Sequence, residues 1–214
     1  MNLERWTALM NSFGVAGNTV MFERITKAYA EPHRHYHTAA HIDACLREVD
    51  SVHSLARSGS EVEAALWFHD VIYNVRASDN ELRSAEMASQ FLTSAGVSSS
   101  ICARVYSHIL ATAHKGNPID DDARLVVDID LSILGQAEQI YDLFERSVRE
   151  EYKWVPWFLY RRKRIEILRS FLDRESIYGT EWFQQRYESA AQSNLERAIR
   201  KLNRGSHDQA LQKG

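Results

Sequence analysis

Residues 61–73 read EVEAALWFHDVIY. Leu66, Trp67, Phe68, Val71 and Ile72 make this stretch strongly apolar, and Ser60 with Glu63 at its start has the spacing of a capping box, which predicts a helix. The same signals recur outward from it. Ser78 with Glu81 opens DNELRSAEMASQFL, residues 79–92, by the same device. Pro156 suits the first turn of WFLYRRKRIEILRSFL, because proline lacks only a donor that is unpaired there anyway. Thr180 is placed to cap EWFQQRYESAAQSNLERAIRKL. Only three prolines interrupt 214 residues, and no segment alternates apolar and polar residues between hairpin turns. The fold class that follows is all-α, a single-domain helical bundle over residues 1–204, with a polar, flexible tail over 205–214.

Composition narrows the function. A hydrophobic fraction of 44% and a net charge of −3 describe an ordinary globular chain. They give no basic field of the kind that drives binding to nucleic acid or an anionic membrane, so any phosphate recognition must be local. Cys45 and Cys102 lie in apolar periodic segments and read as reduced core residues. The start MNLERWTALM has neither the charged opening nor the apolar run of a signal peptide, and no apolar run approaches the roughly 20 residues of a membrane span. A cytoplasmic location is therefore expected, without nucleic-acid or membrane partners. Exposed aromatic residues after Pro156 leave room for homo-oligomers.

The chemistry begins with His69 and Asp70, which interrupt the most apolar helix. Burying an imidazole beside an ionised carboxylate costs several kcal/mol unless something offsets it, and a metal ion is the economical candidate. A hydrogen-bonded His–Asp pair in the core is the plainer alternative, and the same dipeptide recurs as His207–Asp208 in the polar tail. Two other segments add to the case. In RHYHTAAHID, residues 34–43, His37 and His41 are four apart, the spacing that places two side chains on one helical face. In RLVVDIDLSIL, Asp128 and Asp130 lie about 200° apart around a helix, so one of them faces a given site, and Asp130 shares its face with Val126, Val127 and Leu134. His41, His69, Asp70 and Asp130 then form a mixed nitrogen and oxygen ligand set. That set suits Mn, Fe, Ni, Co or Zn better than an all-oxygen site, which would favour Mg.

The order His, His-Asp, Asp resembles the HD superfamily of metal-dependent phosphohydrolases, and YHTAAHID is similar to the signature of its cyclic-nucleotide phosphodiesterases. RHYHT, FHDVIYN, DNELRSA and DIDLSILG, with the stretch from Arg149 to Tyr152, resemble segments of a bacterial group of predicted HD phosphohydrolases over most of residues 30–185. The resemblance implies an HD-type helical domain in which His41, His69, Asp70 and Asp130 bind a divalent metal ion. It makes His37 the general acid that protonates the leaving oxygen. Metal lowers the pKa of bound water from 15.7 toward about 7, giving a hydroxide nucleophile at neutral pH, and Asp70 would also orient it. Arg34, Lys115 and Arg149 are the candidate cations for a small phosphorylated substrate, which the resemblance leaves open between nucleotide and other esters. His108 and His114 lie where two-iron members place three histidines, so one ion or two is equally open. A non-catalytic, metal-stabilised module that binds a nucleotide or a protein is the alternative function.

Overall fold

The structure, a computed structural model, describes residues 1–116, 118 and 120–211, with side chains as far as residue 204. Among the described residues there are α-helices and two short 3₁₀ turns but no strand, as the periodicity predicts. The chain falls into two compact units, Met1–Asp130 and Leu131–Gly214.

The first unit holds α1 (Leu3–Ser12), α2 (Thr19–Ala28), α3 (Ala39–Val52), α4 (Gly59–Phe68), α5 (Asn80–Ser94), α6 (Ser99–Ala111) and α7 (Asp121–Leu131), the last of which crosses the boundary by one residue. Helix α4 is its axis. Val62, Ala64, Ala65, Leu66, Trp67 and Phe68 are all buried, the pattern of a helix enclosed on every side. It packs against α1, α3, α5 and α6. Trp6 of α1 meets the Trp67 ring edge-on at 5.4 Å and stacks on Phe91 of α5 at 5.8 Å. Helix starts are capped where an asparagine stands ready: Asn2 Oδ1 accepts from Arg5 N–H, and Asn18 Oδ1 from Met21 N–H. Helix α5 ends into Gly96, whose φ of +93° suits a residue without a Cβ.

The two expected capping boxes do not form. Helix α4 starts two residues early, after Ser58, and α5 starts one residue late, after Asp79; neither has a side-chain cap. Glu63 is drawn away by a stronger partner, the Arg5 guanidinium, whose Nε and Nη2 lie 2.8 and 3.0 Å from its two oxygens. Glu61 is held in the same bidentate way by Arg104 of α6. Both acids fasten neighbouring helices to α4.

The second unit contains α8 (Glu138–Glu151), α9 (Trp157–Leu172) and α10 (Glu181–Leu211). Its core is aromatic: Tyr141, Phe144, Tyr160, Tyr178, Phe183 and Tyr187 are buried with Leu168 and Leu195. Gly135 lets the 3₁₀ turn Ser132–Gly135 lie against α10, for a Cβ there would come within 2.5 Å of Tyr187 Cβ. Asn194 Nδ2 donates to the Leu134 and Gln136 carbonyls and fixes the same approach. Arg164 of α9 lies over the Phe144 ring and donates to both oxygens of Glu145. Helix α10 begins directly after Thr180 and continues to Leu211, through most of the expected tail; residues 212–214 lie outside the described residues. Among the described residues no helix is long and apolar enough to cross a membrane.

Candidate metal centre

Three helix ends of the first unit meet at one place. His41 comes from the first turn of α3, His69 from the residue that closes α4, and Asp130 from the last turn of α7. One ligand atom from each lies within 4.8 Å of the others. His41 Nε2 is 3.2 Å from His69 Nε2 and 3.2 Å from Asp130 Oδ1, and His69 Nε2 is 3.5 Å from that oxygen. Metal–ligand bonds of about 2.0–2.2 Å place adjacent donors about 3.0–3.5 Å apart, so these separations suit a common cation. The partner of the other ring nitrogen suits it too. His69 Nδ1 lies 3.0 Å from the Leu66 carbonyl, and a proton donated there leaves the Nε2 lone pair for the centre.

Asp70 stands at the edge of this group. Its Oδ2 is 3.1 Å from His69 Nε2 and 3.8 Å from His41 Nε2. The charges are strongly interdependent. Burial acts to lower the His69 pKa, but the Asp70 and Asp130 carboxylates outweigh it and hold the imidazole well above its ordinary value. Burial likewise acts to raise Asp70 and Asp130, and the imidazoles reverse it: His69 and His37 hold Asp70 below the usual carboxylate range, while His114, His41 and His69 do so for Asp130. Asp128 is fully buried but does not belong to the group.

His37 reaches the site by another route than expected. Helix α3 begins at Ala39 with Thr38 as its N-cap, so His37 lies in the preceding bends and does not share a helical face with His41. It is placed by rings: its centroid is 4.2 Å from Tyr73, 4.9 Å from Tyr36 and 6.1 Å from His41. His33, whose Nε2 lies 3.0 Å from the Tyr73 carbonyl, ties the same loop to the segment after Asp70.

The candidate phosphate-binding cations are placed otherwise. Arg34 is buried, its side chain 0% exposed, and its guanidinium donates to Glu31 and to the carbonyls of His37, Asp70 and Val71. Four bonds within the protein give it a structural task in place of the expected substrate contact. Arg149 belongs to the second unit, where it donates to the Tyr152 and Val155 carbonyls and lies over the Trp157 and Tyr160 rings. Its guanidinium secures the turn between α8 and α9. Lys115 is exposed beside His114.

His108 is buried with Nε2 3.3 Å from Asp120 Oδ1, outside the group. His114 is the residue that sequence reasoning left unassigned. Its Nε2 lies 3.3 Å from Asp130 Oδ2. It sits beyond the end of α6 with φ of +53°, and a nonperiodic turn of this kind sends no signal through helical spacing.

No family model, curated protein or solved structure matches the chain.

Proposed function

We propose that this chain is a metal-dependent phosphohydrolase that cleaves a small phosphate ester, a nucleotide being one such substrate. The convergence of His41, His69 and Asp130 carries the reading, because two imidazoles and a carboxylate gathered at helix ends form a donor set of the right spacing for a divalent ion. An ion held there supplies Lewis acidity toward water and toward a phosphoryl oxygen. Asp70, at the edge of the group, orients the attacking water and accepts its proton. As the water oxygen bonds to phosphorus and the ester P–O bond breaks, His37 donates a proton to the leaving oxygen. Tyr73 and Tyr36, packed on the His37 ring, keep it oriented for that transfer.

The test uses the purified protein with manganese. It should bind the ion stoichiometrically and turn over bis(p-nitrophenyl) phosphate or p-nitrophenyl phosphate, while His69→Ala and Asp130→Asn lose both the bound ion and turnover. Undiminished turnover in these variants would overturn the reading. A nucleotide that raises the melting temperature but is never consumed would point to a binding module.

A further inference from the structure

We propose that His114 is a positioning residue for Asp130: its Nε2–H donates to Oδ2 and keeps Oδ1 turned toward His41 and His69. The inference rests on the metal reading above and adds a residue to it. The two carboxylate oxygens face different neighbours. Oδ1 lies 3.2 and 3.5 Å from the Nε2 atoms of His41 and His69, whereas Oδ2 lies 3.3 Å from His114 Nε2. A carboxylate anchored at one oxygen has lost most of its freedom to rotate away from the ion, and such outer partners commonly set ligand orientation.

The backbone adds a second argument. His114 is the one non-glycine residue with positive φ among the described residues. Helix α6 ends in successive turns, with Ala113 N–H donating to the Leu110 carbonyl and His114 N–H to that of Ala111. The chain then enters the left-handed region, which glycine adopts at no steric cost and a side chain with a Cβ does not. Backbone shape alone would thus be served better by glycine, and the reason for histidine lies in what its ring reaches. That ring is 22% exposed and does not belong to the cluster of ligand atoms formed by His41, His69 and Asp130. It therefore acts through Asp130.

The experiment compares wild type, His114→Gly and His114→Gln for cobalt(II) affinity, the visible absorption of the bound cobalt, and the melting temperature without metal. His114→Gly should melt at or above the wild-type temperature, since glycine accepts this φ, yet bind cobalt about 10–100-fold more weakly with an altered spectrum. His114→Gln, which offers an N–H at similar reach, should recover most of the affinity. Wild-type affinity and spectrum in His114→Gly would overturn the inference and leave the metal reading standing. A His114→Gly chain that melts far lower or fails to fold would also overturn it, because the role would then be structural. If wild type binds no cobalt, the metal reading fails and takes this inference with it.

Discussion

Arg34 Nη1 donates to the carbonyl of Asp70 at 2.7 Å, so a buried guanidinium holds the backbone of the residue that flanks the candidate metal centre. The same nitrogen lies 3.2 Å from the His37 carbonyl, and Nη2 donates to Val71 at 3.0 Å. One side chain thereby joins the loop carrying His37 to the turn carrying Asp70. Its rim is closed by Tyr29 and Tyr73, whose ring centroids lie 5.2 and 5.3 Å from the guanidinium carbon. Arg34→Met should cost about 3–5 kcal/mol, since it strands these buried carbonyls; Glu31, half-exposed and still 3.8 Å from His33, adds little to the loss. Arg34→Lys keeps the charge but not the fork and should cost about 2 kcal/mol. Urea unfolding reads both, and a loss below about 1 kcal/mol for Arg34→Met would show that water satisfies the carbonyls.

His37 is separable from the candidate metal ligands. It touches the site through Tyr73, Tyr36 and His41 but is absent from the cluster of donor atoms. His37→Gln should therefore retain manganese at wild-type affinity while kcat falls by about 10²–10⁴ on an ester with a poor leaving group. The loss should shrink on p-nitrophenyl esters, whose leaving oxygen needs little protonation. An equal loss on both kinds of ester would remove His37 from the acid role.

How far the sequence reaches depends on the physical signal each feature leaves. The all-helical class is legible because a helix such as α4 announces itself by periodicity and by a run of apolar residues, and His69 is conspicuous because it interrupts that run. Asp130 does reach the group, as its face shared with Val126 and Val127 suggests, but Asp128, expected to face away, is the more deeply buried of the two. Other features leave no such trace. The burial of Arg34 is invisible because an arginine reads as surface until its carbonyl partners, 36 and 37 residues away in the chain, are known. Ser60 and Glu63 have the spacing of a capping box, yet Arg5, 58 residues distant, takes the acid. The boundary between the compact units falls within α7, where no proline, glycine or polar linker marks it. His114 depends on a left-handed turn that no helical register encodes.

Asp142 offers a stability test in the second unit, apart from any metal. Its carboxylate accepts from Arg197 Nη1 and from Lys201 Nζ at 2.7 Å, tying α8 to α10. Burial acts to raise its pKa, but Lys201 and Arg197 outweigh it and hold the group below the ordinary carboxylate value. A carboxyl depressed on folding contributes stability above its unfolded pKa of about 3.9, and that contribution disappears as pH falls through the folded value. The side chain is 29% exposed, so solvent and salt screen the pair, and Asp142→Asn should cost about 0.5–1 kcal/mol at pH 7. Urea unfolding of both proteins from pH 7 downward should show the gap constant to about pH 5 and narrowing below about pH 4 as the wild-type carboxylate takes up its proton. A gap that widens toward acid would mean that Asp142 is stabilised in its neutral form, contrary to the two cations that face it.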